Sequence, residues 1–247
     1  MKQEKNLDKI QNEKNTANIP SGEQPKLFEK IQQYVDENRK LVYSISGGII
    51  FLVVVIFIVN YISKKTAEDN KNSASFALSK VVPIYQEKNY EKALVGDKKV
   101  LVDNRPMLGL TEIANKYSGT ESAPLACLYA ADCFYNLSKF QEAFNYYKKA
   151  LEAKSQFILE GANAGMGVAS EAMGKYSEAI EYYSQAVTLA KIPGNKSKYM
   201  YFQGLCYEKI GNKEKAELLY REIIAENSTE FIGPAKSGLI RIGTIIE

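Results

Sequence analysis

Histidine is absent from all 247 residues of this chain, and cysteine occurs only three times. The absence of histidine removes the side chain that most often serves as a general base, a pH switch or a metal ligand. Cys127, Cys133 and Cys206 are an odd number without CxxC spacing, so they predict neither a zinc site nor a disulfide framework. We expect three buried, small apolar side chains, and no metal, no cofactor and no enzymatic activity.

Long runs of one charge are also missing. The sequence has 32 basic and 29 acidic side chains, which gives a formal net charge of +3. Nucleic-acid-binding domains cluster lysine and arginine along one face, and this sequence contains no such cluster. Nucleic acid is therefore not an expected partner. The composition, 45% apolar and 25% charged, is that of an ordinary globular protein.

A phosphate-binding loop is not predicted either, although residues 161–167 read GANAGMG. A phosphate cradle requires a preceding strand, a lysine and a following serine or threonine, and none of these accompanies the glycines. Close packing between helices explains the cluster instead. We expect no small-molecule substrate.

One long apolar run is present. Residues 41–63 carry no charge, and residues 49–59 consist only of Ile, Phe, Leu and Val. At about 1.5 Å per residue, such a helix crosses the hydrocarbon core of about 30 Å. We predict a single transmembrane helix over residues 41–62, with a buried core helix as the alternative. Four basic residues lie within 20 residues of the run on each side, so the positive-inside rule does not orient it.

Two segments precede the apolar run. Residues 1–25 are rich in Lys, Glu, Asn and Gln and are predicted to be a disordered polar tail. Residues 26–40 are predicted to be an amphipathic juxtamembrane segment for the membrane interface or a partner's groove, or else an extension of the membrane helix. Its apolar face consists of Leu27, Phe28, Ile31, Tyr34 and Val35.

The second half of the chain repeats itself. Related stretches read SKFQEAFNYYKKAL at 138–151, GKYSEAIEYYSQAV at 174–187 and GNKEKAELLYREII at 211–224. Their alanines, Ala143, Ala179 and Ala216, are 36 and 37 residues apart, and each is followed four residues later by a tyrosine. A fixed period of this size predicts a solenoid of stacked helix pairs. The spacing resembles the tetratricopeptide repeat, a pair of antiparallel helices in about 34 residues.

This resemblance implies an all-α fold in which a tetratricopeptide-repeat α-solenoid follows a single N-terminal transmembrane helix. Residues 123–247 are predicted to form three repeats and a C-terminal capping helix. Residues 63–122 are predicted to form a linker helix and a degenerate repeat around Tyr90 and Ala93, with an insertion from 103 to 120. The small positions of the first helices are Ala131, Gly167 and Gly204, and the aromatic positions of the second helices are Tyr147, Tyr183 and Tyr220.

The repeat register also predicts a partner-binding groove, because the first helices of such repeats line the inner surface. A mixture of aromatic, aliphatic and acidic side chains suits a helix or extended chain that carries apolar and basic residues. The alternative is a groove filled by the chain's own linker or by residues 103–120. The inward positions are Leu128, Asp132, Tyr135, Val168, Glu171, Tyr201, Leu205 and Glu208.

Across residues 27–247 the order of segments resembles the bacterial ancillary Sec translocon subunit family. The segment YSGTESA at 117–123 is similar to the start of that family's first full repeat. The resemblance implies an inner-membrane protein with a cytoplasmic tail and periplasmic repeats, near SecYEG and membrane-anchored periplasmic chaperones. A cytoplasm-facing membrane scaffold for the assembly of another complex is the alternative.

Overall fold

The computed structural model describes residues 24–226 and 230–244. The predicted disordered tail, residues 1–25, lies outside the described residues except for its last two positions. The chain divides into two compact units, Met1–Lys64 and Lys65–Glu247.

Two helices occupy the described part of the first unit. Helix α1 (Gln24–Glu37) covers most of the predicted amphipathic segment, and its apolar side chains Leu27, Phe28, Ile31 and Tyr34 are exposed. Helix α2 (Arg39–Gln86) contains the predicted span 41–62 and continues into the second unit. Among the described helices, α2 alone is long and apolar enough to cross a membrane, and its apolar window is not buried within the structure.

The second unit is built mainly of paired helices. The first and second helices of the three predicted repeats are α5 with α6, α7 with α8, and α9 with α10, and α11 follows as the predicted cap. Their bounds are α3 (Tyr90–Val95), α4 (Leu110–Lys116), α5 (Ser122–Asn136), α6 (Phe140–Ala150), α7 (Gln156–Ala172), α8 (Tyr176–Leu189), α9 (Pro193–Lys209), α10 (Lys213–Ala225) and α11 (Ile232–Ile242).

The turn between the two helices has the same geometry in each pair. Ser138, Gly174 and Gly211 adopt positive φ angles of 58°, 75° and 79°. The backbone N–H of each following residue donates to a carbonyl five residues earlier in the first helix, at 2.9 Å in all three pairs. A left-handed residue with such a bond is a common way to end a helix, because it satisfies carbonyls that the helix leaves free.

The same turn occurs once more, at the end of α2. Lys88 has a φ of 61°, and the N–H of Asn89 donates to the carbonyl of Ile84 at 3.2 Å. The C-terminal part of α2 is therefore the first helix of an additional repeat, which precedes the three predicted ones and is the first repeat along the chain. Ala93, which corresponds to the repeat alanines, is fully buried, as Ala143, Ala179 and Ala216 are.

The all-α prediction is wrong at one place in this repeat. Strands β1 (Gly96–Val102) and β2 (Arg105–Leu108) form an antiparallel hairpin. The two turn residues, Asp103 and Asn104, have φ angles of 50° and 59°, which match the right-handed twist of a two-residue hairpin. The insertion therefore spans 96–109 rather than 103–120.

The hairpin interrupts one helix and returns the chain to the same point. A Cβ atom on Gly109 would lie 2.2 Å from the carbonyl oxygen of Leu94 and 2.4 Å from the backbone nitrogen of Gly96. Helices α3 and α4 are therefore two halves of one second helix. Ala93 and Ala143 lie 50 positions apart, and leaving out the fourteen residues 96–109 brings this separation to the repeat period of 36.

The repeat tyrosines pack directly on glycine. A Cβ atom on Gly204 would lie 2.6 Å from Cε1 of Tyr220, and one on Gly238 would lie 2.5 Å from Cε2 of the same ring. Within the glycine cluster, Gly165 lies against Tyr147 and Gly167 lies against Tyr183 in the same way. The rings occupy the volume that a side chain at each of these glycines would need, which confirms the packing interpretation of the cluster for Gly165 and Gly167.

We predict opposite effects for two identical substitutions in α9. Gly204→Ala should lower the free energy of unfolding by about 1–3 kcal/mol, because the Tyr220 ring lies between Gly204 and Gly238 and cannot move away from the new methyl group. Gly194→Ala should leave stability unchanged or raise it, because no atom lies within 4 Å of a Cβ there and alanine favours the helix. Urea denaturation of residues 65–247 measures both values. Equal effects would mean that the Gly204 contact is misassigned.

Candidate functional site

A cavity of about 340 Å³ lies between the first helices α5, α7 and α9, and we call it the groove. Four of the eight predicted groove residues line it: Leu128, Asp132, Tyr135 and Val168. Lining residues that the sequence analysis did not assign to the groove are Tyr147, Gly161, Ala164, Gly165, Tyr183, Lys198, Tyr199 and Phe202.

The small residues of α7 help to leave this space open. Gly161 and Ala164 present at most a methyl group, and the nearest side-chain atom to a Cβ on Gly161 would be 3.5 Å away, on Leu128, whereas the space beside Gly165 is filled by the Tyr147 ring. Aromatic side chains surround the space, including Tyr135 and Phe202. The GANAGMG stretch was the sequence signal that could have identified these lining positions. It was interpreted only as helix packing.

The other four predicted residues do not line the groove. The ring of Tyr201 lies 5.6 Å from that of Phe231 and 5.9 Å from that of Tyr220, so it packs between the last repeat and the segment that leads into α11. Glu208 accepts two hydrogen bonds from the Arg241 guanidinium of α11, each 2.7 Å long. Tyr201 and Glu208 therefore make contacts with the C-terminal segment, and their role in partner binding stays a prediction. Glu171 and Leu205 are half-buried outside the cavity lining.

Asp132 is the acidic residue of the groove lining. Its carboxylate accepts hydrogen bonds from the hydroxyls of Tyr85 at 3.0 Å and Tyr147 at 2.5 Å. Burial raises the pKa of Asp132 and outweighs these two hydrogen bonds, which lower it. Because Tyr85 belongs to α2 and Tyr147 to α6, this carboxylate joins the first two repeats.

The same kind of bond recurs in the next two repeats. The Tyr183 hydroxyl donates to Glu171 at 2.9 Å, and the Tyr220 hydroxyl donates to Glu208 at 2.5 Å. Burial raises the pKa of Tyr183 most, and the nearby Glu171 carboxylate raises it further. The hydroxyl therefore stays protonated and acts as a donor. Each second helix is thereby bonded to the first helix of its own repeat.

Glu208 differs from Asp132 in its electrostatics. Burial by itself raises the pKa of Glu208, but hydrogen bonds from Arg241 and Tyr220 and the Arg241 charge outweigh burial and lower the pKa. Asp132 has no such cation. Among the described ion pairs, Glu208 has a partner and Asp132 and Glu171 have none.

The cysteines supply no reactive group. All three are free and buried, as expected from the sequence. Burial raises the pKa of the Cys127 thiol to about 11 and those of Cys133 and Cys206 to about 12, so the thiols are protonated near neutral pH. Within residues 24–226 and 230–244, no three acidic or cysteine side chains are grouped as metal ligands would be.

The opposite pKa shifts predict opposite pH effects for two amide substitutions. The raised pKa of Asp132 makes its ionisation unfavourable in the folded state, so Asp132→Asn should keep or raise the melting temperature at pH 7, with less gain near pH 4. The pKa of Glu208 is lower in the folded state than its unfolded value of about 4.3, so the ionised carboxylate stabilises the fold when the pH is above about 4.3. This stabilisation is lost as the pH falls. Glu208→Gln should therefore cost about 1 kcal/mol at pH 7 and less at low pH.

Thermal unfolding of both variants and the parent across pH 3.5 to 7.5 checks this contrast. If Asp132→Asn destabilised the domain at pH 7 as much as Glu208→Gln, the electrostatic difference between the two sites would be disproved.

Comparisons with known proteins agree with the repeat geometry. Residues 126–157 and residues 165–230 match two sequence models of the tetratricopeptide repeat. No curated protein sequence is similar enough to count as a match. Tetratricopeptide-repeat structures are among the solved structures found. The TPR domain of Arabidopsis FLU is 26% identical over 42% of this chain and 92% of that one, with a TM-score of 0.38.

A crystal structure of MamA is 16% identical over 66% of this chain and 84% of that one, with a TM-score of 0.49. These low scores carry no weight in the assignment, which rests on the two repeat matches and on the helix geometry. The chain carries tetratricopeptide repeats in a TPR-like α-solenoid, and such repeats indicate a protein–protein interaction module.

Proposed function

We propose that this protein is a membrane-anchored adaptor whose groove binds a segment of another polypeptide that carries apolar and basic residues. The observation that carries the proposal is the groove itself, a cavity of about 340 Å³ between the first helices of three consecutive repeats. Tetratricopeptide repeats typically act as interaction modules rather than enzymes, and the side chains of the groove agree with that role.

The lining of the groove indicates the chemistry of the segment. Leu128 and Val168 contribute aliphatic side chains to the lining, and Tyr135 and Phe202 contribute aromatic rings. Rings of this type commonly supply the energetically dominant contacts of protein interfaces. Asp132 has no partner among the described ion pairs, so a lysine or arginine of the bound segment would pair with it, and Lys198 is the one cation of the lining itself.

Self-occupation of the groove is disfavoured by its lining residues. The inserted segment was a candidate occupant, but none of the residues 103–120 lines the groove. That segment forms part of the hairpin and α4, beside the C-terminal part of α2. None of the residues 63–102 of the linker helix and degenerate repeat lines the groove either, which supports an occupant from another chain.

Membrane anchoring is supported by the length and composition of α2 and by the exposure of its apolar window. A stretch of exposed Ile, Leu, Val and Phe side chains of this length would be unfavourable in water, and a lipid bilayer would cover it. The described segment Lys65–Glu247 forms a compact unit without it.

A role beside the Sec translocon is the specific context that we propose, in the inner membrane, with the repeats in the periplasm. Its support is the order of segments and the YSGTESA sequence at 117–123, which resemble the ancillary translocon subunit family. In this context the bound segments would belong to SecYEG, to membrane-anchored periplasmic chaperones or to their clients. A cytoplasmic location of the repeats would favour the scaffold alternative.

Site-specific photocrosslinking in intact membranes tests the groove. A photoreactive residue at Val168 should form adducts with partner polypeptides, because Val168 lies in the groove lining. The same residue at Gln185, exposed on α8, serves as the control and should form few or none. Asp132→Asn should weaken the Val168 adducts by about tenfold, because it removes the charge that would pair with a basic segment and keeps a hydrogen-bond acceptor for Tyr85 and Tyr147. Equal adducts from both positions would move the binding site away from the groove.

Fractionation tests the anchor, and a reporter tests its orientation. We expect the full chain to stay in the membrane pellet after an alkaline carbonate wash, and residues 65–247 alone to be soluble and helical by circular dichroism. Release of the full chain by the wash would disprove the anchor. A reporter enzyme that is active only outside the cytoplasm, fused after Glu247, should be active. An inactive reporter together with an active cytoplasmic one would select the scaffold alternative.

A further inference from the structure

A second cavity, of about 570 Å³, lies at the first repeat along the chain, and we call it the hairpin cleft. It is formed by the C-terminal part of α2, by the two strands of the hairpin, and by α4. All of its lining residues lie within 73–117, and therefore within the second unit. The cleft shares no lining residue with the groove.

The cleft combines apolar surface with an excess of positive charge. Phe76 and Val95 line it and are 41% and 72% exposed. Four cations and two carboxylates also line it: Lys80, Lys98, Arg105 and Lys116 against Asp103 and Glu112.

The four cations are not neutralised by ion pairs. The described ion pairs of this region join Lys71 to Glu121 at 3.4 Å and Lys92 to Asp97 at 2.9 Å, and both lie outside the set of cleft cations. The Lys80 ammonium instead lies 4.9 Å from the centre of the Phe76 ring. Lys116 lies 5.4 Å from the centre of the Tyr117 ring. A ligand would therefore meet a cation and an aromatic ring side by side.

We propose that the hairpin cleft binds an acidic, apolar segment of another polypeptide. Charge complementarity supports an anionic ligand, because each carboxylate brought into the cleft would meet an unpaired cation. The adjacent cations and rings favour a peptide over a membrane surface. A bilayer presents headgroup charge and acyl chains at different depths, whereas a peptide offers carboxylates and apolar side chains at the same depth.

The two cavities differ in charge. The groove lining has one carboxylate, Asp132, and one cation, Lys198, whereas the cleft lining has four cations and two carboxylates. An acidic segment is therefore favoured at the cleft and not at the groove, and a chain with two such sites can bring two partners together. The cleft proposal does not depend on the groove proposal, because it rests on different residues.

Fluorescence anisotropy with the purified full-length chain in detergent tests the cleft. The probe is a short labelled peptide in which glutamates alternate with leucines and phenylalanines, and the matched peptide has lysine in place of glutamate. We expect the glutamate peptide to bind at least about tenfold more tightly than the lysine peptide at the cleft, and to weaken as salt rises. Equal affinity for the two peptides would overturn the proposal.

Charge reversal on the hairpin locates the binding. Lys98→Glu combined with Arg105→Glu changes two exposed side chains of the cleft and should weaken the glutamate peptide by at least about tenfold. The control combines Lys99→Glu and Lys148→Glu, two exposed residues outside the cleft, with the same change of net charge. The control, and the groove variant Val168→Glu, should change the affinity less than about twofold.

Two results would contradict the assignment. Equal losses in the cleft variant and the charge-matched control would show that only the total charge matters. Native mass spectrometry would show whether phosphatidylglycerol stays bound to each variant. If the parent and the control retained this lipid, the cleft variant lost it, and the glutamate peptide was not preferred, the cleft would be a lipid site.

Discussion

The contact on which the repeat array depends is a buried tyrosine that packs on glycine and donates its hydroxyl to a carboxylate. Tyr183 and Tyr220 are fully buried, and a side chain larger than hydrogen at Gly167 or Gly204 would overlap their rings. Each hydroxyl reaches back to an acidic residue near the end of the first helix. The ring sets the distance between the two helices, and the hydroxyl sets their relative register.

The groove follows from this contact. Tyr147 and Tyr183 belong to the second helices, yet both reach between the first helices and line the groove. Gly161, which has no ring packed on it, leaves part of the groove open. At the last repeat, Arg241 of α11 pairs with Glu208, so the capping helix uses the acidic group that would have extended the groove. In the first repeat the equivalent of the tyrosine is Thr111, and Tyr85 donates to Asp132 from α2 instead.

The repeat period in the sequence predicted the helix pairs, but it did not predict the hairpin or the contacts between residues about 30 positions apart. The alanine and tyrosine spacing was sufficient to identify three helix pairs, because each pair repeats the same contacts. The hairpin was missed because its signal is a single Asp103–Asn104 turn inside a stretch that otherwise continues a helix pattern. The roles of Tyr201 and Glu208 depend on Phe231 and Arg241, which lie 30 and 33 positions later, and no local pattern reports such packing.

The most direct test of this account is a double-mutant cycle on Tyr183 and Glu171, a pair joined by one hydrogen bond of 2.9 Å. The free energy of unfolding of residues 65–247 would be measured for the parent, Tyr183→Phe, Glu171→Ala and the combination of the two. The account predicts a coupling energy of about 1 kcal/mol, because each single change already removes the hydroxyl-to-carboxylate bond. Strictly additive effects would show that the bond contributes nothing and that ring packing alone holds the repeat together.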